Sequence, residues 1–106
     1  MTHVEMHPAA QEELEEAFNY YLTIDEELAR SFDEHYQQHL RRIGENPLLY
    51  QVRHGIVRQA ILTPRFGEYS IAYTIRNTTV VILAVSHARR RPYYWNARIG
   101  MAAKMQ

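Results

Sequence analysis

Tyr69-Ser70-Ile71-Ala72-Tyr73-Thr74-Ile75-Arg76, then Asn77-Thr78, then Val80-Val81-Ile82-Leu83-Ala84-Val85: this stretch decides the fold class. Its first part alternates with period 2. Tyr69, Ile71, Tyr73 and Ile75 therefore share one face of a strand, and Ser70, Ala72, Thr74 and Arg76 share the other. Asn77-Thr78 predicts a tight hairpin turn, although without glycine. The run from Val80 to Val85 is apolar throughout, the pattern of a central strand covered on both faces. Upstream, Ile56 to Leu62 reads as another strand, and Thr63-Pro64-Arg65-Phe66-Gly67-Glu68 turns the chain.

Before Pro47 the period changes to 3.6. His3 to Met6 reads as a short opening strand, and Pro8 suits the first turn of a helix. From Ala9 to about Leu22, Leu14, Ala17, Phe18, Tyr21 and Leu22 recur at helical spacing. Glu12, Glu13, Glu15 and Glu16 are expected in water, near the positive end of the helix dipole. Thr23 is the predicted N-cap of a second helix, with Glu26 completing a capping box. That helix runs to about Gly44, with Leu28, Phe32, Tyr36, Leu40 and Ile43 on one stripe. Arg41 and Arg42 sit in its last turn, and Gly44 and then Pro47 end it. Two helices joined by two to four residues form an antiparallel hairpin. The expected fold is α+β in the order β-α-α-β-β-β: an N-terminal helix hairpin packed on one face of a mainly antiparallel twisted sheet. Residues Arg89 to Met105 follow as a short helix or an arm. At 106 residues, 1–106 reads as one domain.

Composition narrows the chemistry. With no cysteine, the chain has no disulfides, thiolate nucleophiles or Cys-based metal sites. Gly44, Gly55, Gly67 and Gly100 lie too far apart for a phosphate-binding loop. His35 and His39 have metal-ligand spacing, but no third ligand is evident and neighbouring acids suggest a solvated face. No metal or other cofactor is expected. No apolar run approaches the roughly 20 residues of a membrane span, and the N-terminus lacks the features of a secretory signal. A cytoplasmic domain without membrane association is expected. The net charge of zero conceals a segregation. Residues 1–46 hold eleven acids and three bases, a balance of −8, and residues 47–106 hold nine bases and one acid, Glu68, a balance of +8. Such asymmetry points to an acidic or nucleic-acid partner for one half. All the bases but Lys104 are Arg, whose planar fork grips phosphate or carboxylate.

The densest segment is Ser86-His87-Ala88-Arg89-Arg90-Arg91-Pro92-Tyr93-Tyr94-Trp95-Asn96-Ala97-Arg98. Cleavage of RNA through its 2′-hydroxyl needs a base, an acid and cations for the phosphorane charge. His87 can supply the base or acid, an Arg the cation, and Tyr94 or Trp95 a stacking plane. Alternatively, Tyr94 and Trp95 anchor the tail while the Arg side chains reach water. With the helices covering the Tyr69 face, the other face is expected to be basic and somewhat concave. It would carry small polar groups and Arg58, rimmed by Arg53, Arg65, Arg76 and Arg89 to Arg91.

The layout resembles the RelE/ParE superfamily of toxins from type II toxin–antitoxin pairs. The resemblance rests on Ala10, Glu13-Leu14, Ala17 and Tyr20-Tyr21; on Leu28-Ala29, Phe32, Leu40, Ile43 and Asn46-Pro47; and on Arg65-Phe66, Tyr69, Ile71 and Tyr73. Its most specific part is Val80 and Ile82-Leu83-Ala84-Val85-Ser86-His87 continuing into Arg90-x-Pro92-x-Tyr94-Trp95-x-x-Arg98. It implies plasmid-stabilisation-type growth inhibition in bacteria and a partner antitoxin, and the charge segregation predicts that an acidic, partly disordered antitoxin segment wraps the basic face and the helix hairpin. One branch of the superfamily cleaves mRNA in the ribosome without metal. On that pattern Tyr94 matches the C-terminal Tyr, and His87 falls where a basic group precedes it. Arg58 and Arg89 are the cations that would assist. Ser70, however, stands where a sheet Arg is expected, and the second-strand lysines are absent. The other branch inhibits DNA gyrase and has no catalytic residues. The Arg-Phe-x-x-Tyr hairpin and the tail look more like that branch. A surface of Arg53, Arg58, Arg65, Arg76, Arg89, Arg90, Arg91, Trp95 and Arg98 would then meet target or antitoxin.

Overall fold

The computed structural model describes residues 2–100. Strand β1 (His3–Met6) leads into helices α1 (Pro8–Ile24) and α2 (Glu26–Glu45). Strands β2 (Val52–His54), β3 (Val57–Leu62), β4 (Phe66–Arg76) and β5 (Thr79–His87) follow, and a 3-10 turn at Tyr94–Ala97 lies in the tail. The architecture is the expected α+β one, with one additional strand, β2. At three residues, with Arg53 bulged between Val52 and His54, β2 is too short and irregular to show periodicity. The sheet order is β1-β5-β4-β3-β2, antiparallel except for β1, which runs parallel to β5 from His3↔Thr79 to Met6↔Ile82. Lys104 and Met105, included in the predicted tail, lie outside the described residues.

The helix boundaries differ from expectation for a local reason. Thr23 lies inside α1, its hydroxyl donating to the Tyr20 carbonyl at 2.6 Å, so it does not cap α2. The cap is Asp25, whose carboxylate accepts from the Glu27 N–H at 3.4 Å. One residue rather than two to four joins the helices. At the other end of α1, His7 is the N-cap: its Nδ1 accepts from the Ala9 N–H at 3.0 Å, with Pro8 in the first turn. Helix α2 includes Gly44 and ends at Glu45, one residue beyond expectation.

The period-2 reading of β4 holds. Tyr69, Ile71, Tyr73 and Ile75 pack with Phe32, Tyr36 and Ile43 under the helices. The Tyr21, Phe32, Phe66 and Tyr69 rings form the aromatic centre, with centroids 5.1–6.0 Å apart. Such edge-on and tilted pairs add roughly 0.5–1.5 kcal/mol each beyond buried area. Asn77 takes the left-handed conformation (φ 54°) that a two-residue hairpin loop requires, replacing the missing glycine. Strand β5 is buried on both faces, as its apolar run predicts. A bulge at Leu83, opposite Ala72/Tyr73, turns Leu83 and Ala84 both toward the second face while returning Val85 to the first.

Candidate functional site

The second sheet face is where the expectation fails. Instead of an open basic surface it is a second core: Trp95, 4% exposed, covers Val57, Ala72, Val81, Leu83 and Ala84. The tail folds back because an indole over small β-strand side chains removes a large apolar area from water. Arg58 is absent from that face. It pairs opposite Tyr73 on the helix side, and its Nη1 donates to the Tyr50 carbonyl at 2.7 Å and to the Leu48 carbonyl at 3.5 Å. Ser70 is buried and accepts from Gln59 Nε2 at 2.7 Å.

One carboxylate holds the tail. Glu13 Oε1 accepts from the Val85 N–H at 3.1 Å and from Arg98 Nη1 at 2.9 Å. Its Oε2 accepts from the Tyr94 hydroxyl at 2.6 Å and from Arg98 Nη2 at 3.2 Å. Arg98 Nη1 also donates to the Leu83 carbonyl at 2.9 Å. Pairing with β1 ends at Ile82, after which the His7 N–H bonds to the Ile82 carbonyl. Glu13 and Arg98 thus bind β5 backbone groups just beyond the reach of β1, satisfying polar groups whose burial without a partner would be costly. Composition placed Glu13 in water with its neighbours. The signal against that was positional: Glu13 lies three residues after Ala10 and four before Ala17, both buried.

Three of the four candidate catalytic residues gather beside α1. His87 and Tyr94 line a hollow of about 200 Å³ with Glu13, Glu16 and Arg90, and His87 and Arg89 line an adjoining one of about 300 Å³. Arg58 lies elsewhere. His87 is opposite Tyr69 on the ladder, edge-on to its ring at 4.9 Å, and its Nδ1 accepts from the Arg89 N–H at 3.0 Å. The Arg90 guanidinium lies 3.9 Å from the Tyr94 ring centroid and 3.9 Å from Glu13. Burial and the hydrogen bond to Glu13 push the Tyr94 hydroxyl up to about 12. The phenol is therefore a bound donor facing a carboxylate. In the neighbouring hollow the Tyr21 hydroxyl donates to Glu68.

The other predicted cations are scattered. Arg65 Nη1 donates to Ser31 Oγ at 2.9 Å, and its guanidinium lies 5.5 Å from the Phe66 ring centroid. Arg76 is half-buried, whereas Arg53, Arg89 and Arg91 are exposed. His39 is buried and bonded at both nitrogens: Nε2–H donates to the Thr63 carbonyl at 3.1 Å, leaving Nδ1 to accept from the Tyr50 hydroxyl at 2.9 Å. His35 Nδ1 bonds to the Ser31 carbonyl at 2.9 Å, so the pair is built into the fold. Among the described residues no helix is long and apolar enough to cross a membrane.

A structural partner that the sequence reading missed is His54 on β2, which stacks on Tyr93 with centroids 4.0 Å apart. Its signal lay only in three-dimensional proximity, because β3, β4 and β5 separate β2 from the tail along the chain.

Comparison with known proteins bears on the same chain segments. Among curated proteins, none matches the chain. The family described as "ParE toxin of type II toxin-antitoxin system, parDE" matches residues 4–92, from β1 into the Arg-rich turn. An antitoxin partner is implied by that family. The chain belongs to the ParE toxins of type II toxin–antitoxin systems.

Proposed function

We propose that this toxin arrests growth of a bacterial host by binding DNA gyrase, acting in the cytoplasm without a metal or other cofactor. The supporting observation is the state of Tyr94. Its hydroxyl is bonded to Glu13 and held at about 12, so it is poorly suited to exchange a proton at neutral pH. Arg98 and Arg90 are already engaged by Glu13, which leaves them less free to stabilise an incoming phosphate. Arg58 cannot assist while bonded to the Leu48 and Tyr50 carbonyls. The exposed Arg89 and Arg90 and the accessible Tyr20 suit an acidic antitoxin segment that orders along this cleft and the helix hairpin. The second reading, ribosome-dependent mRNA cleavage, is favoured by the gathering of His87, Tyr94 and Arg89. Under a third, the chain is a non-toxic binding module of the same fold.

The deciding experiment is primer extension on mRNA from induced cells, run beside a gyrase supercoiling assay, for wild type and Tyr94→Phe. The expected result is intact mRNA, inhibited supercoiling and little change in toxicity for Tyr94→Phe. Codon-phased cleavage that Tyr94→Phe abolishes, with normal supercoiling, would reverse the assignment. Soluble, folded protein without growth arrest would favour the binding module.

A further inference from the structure

The tail sends three successive rings in three directions. Tyr94 turns to Glu13 on α1, and Trp95 turns onto the sheet. Tyr93 turns outward onto β2, in the left-handed backbone region at φ 60°. That conformation is unfavourable for an L residue with a side chain and is taken more readily by Gly or Asn. It places the Tyr93 ring flat on His54, with an interplanar angle of 15° and a centroid distance of 4.0 Å, and edge-on to Trp95 at 5.8 Å. The ring is nevertheless 46% exposed, so the strained turn displays it at the surface. Arg53 adjoins His54 in sequence, Arg91 lies two residues before Tyr93, and both are exposed. Ile56, across the β2–β3 turn, is 52% exposed. From residue 69 onward the chain contains no Asp or Glu.

We infer that the Tyr93–His54 stack, with the exposed Arg53 and Arg91 one and two residues from its members along the chain, is the contact platform for the growth-inhibition target. The surface it takes is an acidic patch on a folded protein, carrying an apolar or aromatic side chain that seats on Tyr93. This rests on the toxin reading and deepens it by separating the target surface from the antitoxin cleft. Tyr and Arg dominate binding energy at protein interfaces. A ring already braced by His54 and Trp95 has little conformational freedom to lose on binding. Exposed cations in the part of the chain from residue 47 onward, whose one acid is Glu68, favour a partner of negative charge. A segment that orders on binding, as proposed for the antitoxin, does not need such a preformed anchor.

The test is induction at graded expression of wild type, Tyr93→Asn, Tyr93→Phe and His54→Ala, each checked for melting temperature and for binding to the antitoxin from the neighbouring reading frame. Asn keeps the left-handed turn without the ring, Phe keeps the ring, and His54→Ala removes the brace without altering that turn. Tyr93→Asn is expected to need roughly tenfold or more protein for growth arrest, and His54→Ala several-fold more. Tyr93→Phe, which keeps the ring and loses only the hydroxyl, should fall between wild type and Tyr93→Asn, and all variants should keep their melting temperature and antitoxin binding. Equal toxicity of folded Tyr93→Asn and wild type overturns the inference. So does parallel loss of toxicity and antitoxin binding, which gives the platform to the antitoxin, or Tyr93-dependent binding of a single-stranded oligonucleotide, which gives it to nucleic acid. A folded wild type that arrests nothing instead brings down the toxin reading, and the platform's target with it.

Discussion

The two faces of the sheet are covered by different physics. On one, two helices of 17 and 20 residues enclose Phe32, Tyr36, Ile43, Ile71 and Tyr73, and a wide apolar contact carries most of their attachment, with hydrogen bonds such as His39 to the Thr63 carbonyl at its margin. On the other, a few tail residues place one indole over five small or aliphatic side chains. So short a cover offers less area than two helices, and a polar latch supplements it: Glu13 from the acidic half holds Tyr94 and Arg98 from the basic half. The charge segregation along the chain is therefore partly internal. Glu13 meets Arg98 and Arg90 at the point where the tail is fastened, while exposed charges such as Arg53, Arg89 and Arg91 are left at the surface.

The largest effects should come from the two covers themselves. Phe32→Ala is expected to cost about 4–5 kcal/mol, because the helices cannot collapse into the space left. Trp95→Ala is expected to cost about 3 kcal/mol, the low end for aromatic truncation, because the tail can lift away and admit water. Denaturant melts measure both, and hydrogen exchange sharpens the contrast. Trp95→Ala should deprotect β5 beyond Ile82 while the helices stay protected, and loss of helix protection in that variant would mean the covers are not separable.

Glu13→Ala comes next, at about 2–3 kcal/mol. It strips a charge-assisted partner from Arg98 and leaves the Val85 N–H without its acceptor. The same change at Glu12, exposed one residue earlier, should fall within about 0.5 kcal/mol of wild type. Equal effects at the two positions would show that Glu13 does not fasten the tail.

The smallest expected effect is one of pH. Burial, then the nearby Arg98, lowers the His7 imidazole below its ordinary value, opposed by Glu13. Burial also lowers His39, with Arg42 and His35 acting the same way and the Thr63 carbonyl opposing. The unfolded chain therefore takes up these protons first. Stability should be full above about pH 6.5 and fall as pH drops below it. Melting temperatures at pH 7.5 and 5.5 check this, and a flat profile would show that neither cap nor bridge depends on a neutral ring.

Sequence periodicity was enough for the helices, strands β1 and β3 to β5, and the faces of β4, because burial of one side imprints a repeat of 3.6 or 2 on the chain. It was enough, too, for the family resemblance, which rests on residues in a fixed order along the chain. Periodicity could not reveal β2, whose three residues are too few to repeat, or distinguish Glu13 from the acids around it. A side chain's electrostatic partner depends on which distant groups folding brings within about 3 Å, and here these come from residues 85, 94 and 98. Tertiary structure likewise closed the second sheet face with Trp95 and turned Arg58 toward the helices. It also set Tyr93 on His54. Each of these depends on where a short irregular segment finally lies, which follows from the area and hydrogen bonds available in the assembled fold rather than from any pattern in neighbouring residues.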